Sequence, residues 1–178
     1  MKSVSWSSDG LYVASWDLSG IVHIWNSTSG KDVFASPYSF QPFELRCVTW
    51  KPNAYILASG GSDKIVQIWN ATTGQRIQSY RGHIADLRSI AWSPDGTLIA
   101  SGYMDGTLHI WNAATGRLVF SLDTGQVHEV WSVAWSRDGR QIAAACQSGP
   151  AQVLVWNATS GQLVFSASVP SQIAESVA

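Results

Sequence analysis

Gly106–Arg117 reads GTLHIWNAATGR, an apolar run that ends in tryptophan and passes at once into a turn. The chain writes nearly the same phrase three more times, as GIVHIWNSTSGK from Gly20, KIVQIWNATTGQ from Lys64 and AQVLVWNATSGQ from Ala151. Trp25, Trp69, Trp111 and Trp156 therefore recur at intervals of 44, 42 and 45 residues. A second series, Trp6, Trp50, Trp92 and Trp135, recurs at 44, 42 and 43. A fixed period of this length marks one supersecondary unit repeated along the chain.

Each period reads alike. An apolar segment ends in Trp (RSIAW, WSVAW), and a turn follows (SPDG, SRDG, SSDG or KPNA). TLIAS or YILAS comes next, then the phrase ending IWN or VWN, a turn such as ATTG, and a last segment such as RLVFSL. These segments are rich in Val, Ile, Trp and Phe and bounded by Gly, Asp, Asn and Pro, which is strand and hairpin chemistry. Each unit is predicted to be an antiparallel sheet of four strands, a to d. In strand c both alternating sets are bulky, which suits a sheet covered on both faces. One such sheet cannot bury two apolar faces alone, so the copies must stack, with tryptophan as the recurring packing piece. Asn26, Asn70, Asn112 and Asn157 each open the following turn, where a side-chain amide can bond the backbone two residues on.

Composition agrees with a packed protein and removes some functions. Hydrophobic residues make up 46% and charged residues 13%, with a formal charge of −1. The basic footprint of a nucleic-acid binder is missing. There is no apolar run of membrane-spanning length, and MKSVSWSSDG has no signal-peptide core, so the expectation is a cytoplasmic protein without membrane contact. Two cysteines make no disulfide framework. Cys47 aligns with Ser3, Ser89 and Ser132, and Cys146 is aligned with Ser15, Ser59 and Ser101, so both read as small buried fillers.

Over about residues 1–168 these repeats resemble the WD40 family of β-propellers, with IWN standing where that family usually has Trp-Asp. The resemblance implies an all-β fold of four consecutive four-stranded antiparallel sheets, a partial propeller, with blades at about 1–42, 43–81, 82–124 and 125–168 and a tail at 169–178. It also implies a stabilising tetrad, complete in the third repeat as His83, Ser101, Asp105 and Trp111. Elsewhere the set is broken. Gln41 stands for His in repeat two, Ser19 for Asp in repeat one, and Gln126 for His in repeat four, where His128 lies two places past the family position.

Four blades are fewer than the family usually closes into a ring, and a closed four-bladed ring needs steep wedging. The first and last blades are then expected to expose apolar faces larger than a monomer tolerates. Either two chains join as a homodimer into an eight-bladed ring, or the sequence belongs to a longer propeller.

Chemistry is sparse. His23 and His109 are one strand-c position in two copies, His83 belongs to the tetrad, and no histidine has metal-ligand spacing to Cys, Asp or Glu. No phosphate loop occurs. The expectation is a non-enzymatic binder with no cofactor and no metal. Candidate binding residues come from positions where the copies differ near the entry to strand a. Six residues before the strand-a Trp stand Glu44, Asp86 and Glu129; four before stand Lys2, Arg46, Arg88 and Trp131. With Trp16, Asp17, Tyr103 and Met104 from the b–c region, they suggest a mixed-charge rim with aromatic anchors, suited to a protein or peptide partner. The bland reading is a ring of acids and arginines paired with one another. Two other functions remain open: an enzyme or small-ligand or carbohydrate binder using a channel or inter-blade pocket, and a truncated remnant.

Overall fold

The computed structural model describes residues 3–35, 44–122, 124–125, 129–147 and 150–169. Lys2, Gln41, Gln126, His128 and most of the tail lie outside these residues.

Sixteen strands form four separate antiparallel sheets in chain order. Blade 1 holds β1 (Val4–Trp6), β2 (Tyr12–Trp16), β3 (Val22–Asn26) and β4 (Asp32–Ala35). Blade 2 holds β5 (Leu45–Trp50), β6 (Ile56–Gly61), β7 (Val66–Asn70) and β8 (Arg76–Tyr80). Blade 3 holds β9 (Leu87–Trp92), β10 (Leu98–Tyr103), β11 (Leu108–Asn112) and β12 (Leu118–Leu122). Blade 4 holds β13 (Glu129–Trp135), β14 (Gln141–Gln147), β15 (Ala151–Asn157) and β16 (Leu163–Val169). Every sheet is a meander, so each blade follows strand order a to d, as the sequence pattern requires.

The turns explain why the phrase repeats so closely. Asn26, Asn70, Asn112 and Asn157 each accept two backbone N–H bonds through Oδ1, at 2.8–3.2 Å. A glycine at positive φ closes each of these turns: Gly30 at 65°, Gly74 at 70°, Gly116 at 67° and Gly161 at 69°. Only glycine takes that conformation without strain. The c–d ladder of every blade also shifts register at the strand-c Trp, as between Ile110 and Trp111. Such a bulge bends the strand and sharpens its twist.

Stacking produces three cores, one at each junction between successive blades. Each blade turns one face forward to the next blade and one backward to the previous one. At the blade 2–3 junction Trp111, Ile99 and Leu87 face backward onto Ala58, Val66 and Ile68. At the blade 3–4 junction Trp156 and Ile142 face backward onto Ala100, Leu108 and Ile110. Burying one indole in this way is worth about 5 kcal/mol of transfer free energy. Glycine allows close approach between blades: a methyl on Gly102 would lie 2.5 Å from Val130 Cγ1 of the next blade, and one on Gly60 would meet Leu87 as closely.

The array is open. Packing among the described residues runs from blade 1 to 2, 2 to 3 and 3 to 4. On the backward face of blade 1, Trp6 is 61% exposed, whereas its counterparts Trp50 and Trp92 are 6% and 7% exposed. On the forward face of blade 4, Phe165 is 53% exposed.

Ladder register corrects one sequence alignment. Ile142 pairs with Trp135 and Trp156 just as Ile99 pairs with Trp92 and Trp111. Ala144, not Cys146, therefore stands in the place of Ser15, Ser59 and Ser101. Cys146 matches Tyr103, since the two stand opposite Val130 and Leu87 across equivalent bulges. The extra residues of the fourth b–c connection lengthen β14 and β15, so Cys146 lies farther along its strand than the serines do. Cys47 and Cys146 are both free thiols, buried in different junctions. Burial raises both pKa values, that of Cys146 to about 12.

Candidate interaction face

The candidate rim residues lie at the start of strand a, where chain leaving strand d crosses to the next blade. Register places Glu44, Asp86 and Glu129 at equivalent entries, each two residues before Arg46, Arg88 or Trp131. Their charges meet across junctions. Arg46 Nη2 on blade 2 lies 3.2 Å from Glu44 Oε2 of its own blade and 3.3 Å from Asp86 Oδ2 of blade 3. Arg88 Nη2 on blade 3 lies 3.3 Å from Glu129 Oε2 of blade 4. The result is a staircase in which each arginine reaches forward to the acid of the next blade. Half-exposed pairs of this kind contribute about 0–1 kcal/mol each.

Arg88 does something more. Its guanidinium carbon stands 4.6 Å from the centre of the Trp131 ring. The half-buried Trp131 is therefore braced by a cation on one side, and Arg88 is held between that ring and Glu129. An open groove of about 440 Å³ runs past Arg46 and Arg88 along hydroxyl-bearing strand-a residues, among them Ser3, Ser89 and Ser132. Ser89 Oγ accepts the Val133 N–H at 3.1 Å, so part of this lining stitches neighbouring blades together.

Two expected anchors are corrected. Trp16 is 3% exposed and Tyr103 is fully buried, so neither presents an aromatic surface on this face. Trp16 occupies the strand-b place of Gly60 and Gly102 and packs forward in the same core as Leu45 and Val48. Tyr103 lies in the blade 2–3 junction, stacked on His83 with ring centres 3.2 Å apart. Both look exposed in sequence because they border a turn, but the next or previous blade covers them. Met104, beside Tyr103, is half-buried.

The tetrad is also rearranged. Trp111 Nε1 donates to Ser101 Oγ at 3.3 Å, but His83 does not join that pair. Instead Asp105 Oδ1 accepts the Thr107 hydroxyl at 2.6 Å, and Thr107 Oγ1 lies 3.2 Å from His83 Nδ1. Thr107 thus divides the expected network of four into two parts. His83 turns toward Tyr103 and His109, whose ring centre is 3.7 Å away, and its Nε2 is buried with no partner among the described residues. Burial, then the neighbouring His109, lowers the His83 pKa to about 2. Burial also lowers that of His109, whose Nδ1 lies 2.8 Å from the Tyr80 hydroxyl of blade 2. Both rings are neutral packing pieces at ordinary pH.

Blade 1 holds a cluster that reading by columns missed. Asp17 Oδ1 accepts the N–H groups of Ser19 and Ile21 at 2.9 and 3.0 Å, so Asp17 ties the b–c turn although Ser19 occupies the aligned place. Its other oxygen lies 3.3 Å from His23 Nε2, and Asp32 Oδ2 lies 2.6 Å from His23 Nδ1. Partial burial opposes charge on His23, but the bonds to Asp32 and Asp17 outweigh it and raise the pKa. The signal for this trio was the antiparallel count that sets Asp32 opposite Trp25. Among the described residues, no three His, Cys, Asp or Glu side chains gather as a metal site.

Comparison with known proteins agrees with this architecture. Residues 38–70, 74–112 and 116–157 match the family model for the WD domain, G-beta repeat. The matched segments begin near a strand d and end at Asn70, Asn112 and Asn157, the last residues of strand c, so a sequence repeat straddles two blades. Among solved structures, the chain is similar to one in "Crystal Structure of Mitotic Checkpoint Complex", with a TM-score of 0.85 and 25% identity. That match covers 95% of this chain and 51% of the other, so this sequence spans about half the length of its structural neighbour. No curated protein matches the sequence.

Proposed function

Because the chain belongs to the WD domain, G-beta repeat family, we propose that it is a non-catalytic scaffold that docks a protein or peptide on the face carrying its b–c turns and d–a loops. The observation that carries this reading is the Arg88–Trp131 stack, fixed by Glu129 at 3.3 Å. A half-exposed aromatic and an arginine held in place before binding lose little side-chain entropy on contact, which is the usual make-up of an interface hot spot. Glu44, Arg46 and Asp86 continue the same polar surface around it. A protein partner is further supported by the family's general role as scaffold and by the neighbour's place in a multiprotein complex. The same reading has the array working inside a larger ring, completed by a second copy.

Random-peptide display against the immobilised protein tests the rim. Peptides enriched on the wild type should be lost on an Arg88→Ser, Trp131→Ser variant that keeps the wild-type circular dichroism. An equal yield on both proteins sinks this assignment of the docking surface.

A further inference from the structure

Two contacts recur between successive blades, both of them at the blade 3–4 junction and one of them at each of the other two, and the two ends of the array hold their unmatched halves. The strand-a indole is one. Trp50 Nε1 donates to Ser5 O and Trp135 Nε1 to Ala91 O, both at 3.1 Å, the acceptor being the residue just before the preceding blade's strand-a Trp, whereas Trp92 Nε1 is buried without such a bond among the described residues. Trp6 has the donor but, among the described residues, no acceptor; Ala134 O holds the acceptor place on blade 4.

The c–d turn is another. A methyl on Gly116 would lie 3.2 Å from Gln78 of the preceding blade, and one on Gly161 would lie 3.0 Å from Phe120. A methyl on Gly30 would find nothing within 4 Å. At the far end Phe165, which pairs with Val155 as Phe120 pairs with Ile110, is left bare.

From these matching halves we infer that blade 4 of one copy docks head-to-tail on blade 1 of a second copy, and that two such junctions close an eight-bladed ring. This rests on the reading of the array as part of a larger ring. In each junction Trp6 bonds Ala134 O and the Gly30 turn covers Phe165, repeating the internal contacts. The charged groups that the described residues gather at His23 on the blade 1 face are paired within the blade: both His23 ring nitrogens are satisfied by Asp32 and Asp17. The residue register brings over it is Ala167, in the place that Tyr80 holds over His109. A ring of eight blades is within the range of about four to eight that propellers adopt. Because each half-interface differs from its mate, closure requires a two-fold axis along the ring and makes both junctions identical.

The test is light scattering after size exclusion on residues 1–178 and two variants, Trp6→Arg and Phe165→Arg, each altering an exposed residue at one end. The wild type should show twice the 19.3 kDa of one chain. Each variant alone should run at half that mass, and an equimolar mixture should recover the double mass through the single junction whose two faces are both unaltered. A wild type that stays single at every concentration, or a ladder of higher multiples, overturns closure. Phe165→Arg remaining double reveals a blade 1 to blade 1 contact and overturns the head-to-tail assignment. Should Trp6→Arg not fold, dilution of the wild type decides: dissociation should red-shift tryptophan emission, and Trp6→Phe should reduce that shift to the part that Trp25 contributes; no dilution shift overturns the junction. Peptide capture through Arg88 and Trp131 needs only one chain, so closure and the rim reading fail separately.

Discussion

His23 and His109 occupy one register position, opposite Ser15 and Ser101 and two residues before a strand-c tryptophan, yet they live in opposite chemistry. His109 is covered by blade 2, touches Tyr80 and His83, and is kept neutral by burial. His23 has no blade behind it among the described residues and is held toward its charged form by Asp32 and Asp17. The strand supplies the same residue in both places. What differs is the neighbour, so side-chain state here is a property of the junction and not of the blade.

The comparison breaks most visibly at the tryptophans two residues on. Trp111 is fully buried, and Trp111→Ala should cost about 3–5 kcal/mol in urea unfolding. Trp25 holds the same place on the uncovered face, and Trp25→Ala should cost less than about half of that when the chain is dilute. Equal losses would mean that the blade 1 face is covered in the single chain as well.

Acid sharpens the same contrast. The folded-state pKa values of His83 and His109 are depressed below the ordinary histidine value of 6.5, so the unfolded chain takes up protons first and stability falls as pH drops below that value. For His83 the fall continues toward about pH 2, at up to about 1.4 kcal/mol per pH unit. Two units of acidification should therefore remove about 2–3 kcal/mol. Asp63, whose pKa burial raises, offsets part of this loss as it protonates. His23 works in the other direction: its raised pKa gives a contribution present below 6.5 that is lost as pH rises through the folded value. His83→Phe should flatten the acid limb of a thermal-melt series and His23→Gln should leave it unchanged.

The sequence shows the fold because period, turn residues and strand composition are local signals, each fixed by a few neighbouring residues. Asn112 and Gly116 report their turn directly, whatever packs around it. Junction chemistry was harder to read. Trp16 and Tyr103 look like exposed turn residues until a second sheet is laid over them, and Thr107 cannot be seen to intervene between Asp105 and His83 without coordinates. Of the rim, the spacing of Glu44, Arg46, Asp86 and Arg88 suggested mutual pairing, which the distances bear out for the two arginines. That Arg88 would also brace Trp131 could not be known, because these residues come from adjacent blades.

A smaller effect isolates the pressure that one blade puts on the next. Gly102 meets Val130 of blade 4, and Gly102→Ala should cost about 1–3 kcal/mol by overpacking, with Val130→Ala relieving part of the loss. Ala145 stands at the equivalent place on blade 4 and already carries a methyl group; it is itself fully buried, although among the described residues no further blade lies in front of it. Ala145→Gly should cost about 1–2 kcal/mol, from the lost methyl burial and the added backbone freedom, with no relief from Val130→Ala. Relief by Val130→Ala at Ala145 as well would show that the pressure at Gly102 does not come from the facing blade.

The finest probe is a single hydroxyl. Ser59 is buried and accepts the Trp69 indole N–H at 2.8 Å, so Ser59→Ala strands a buried donor and should cost about 1–2 kcal/mol. Ser15 makes the same bond to Trp25 at 2.8 Å, but that indole is half-exposed and water can replace the lost acceptor. Ser15→Ala should then cost only a few tenths of a kcal/mol in the dilute chain, rising toward the Ser59 value once a second copy covers the face. Measuring both variants by urea unfolding at low and high protein concentration separates the alternatives. A Ser15 penalty that grows with concentration while the Ser59 penalty stays constant assigns the difference to the missing neighbour. Two constant and equal penalties would assign it to the blades themselves.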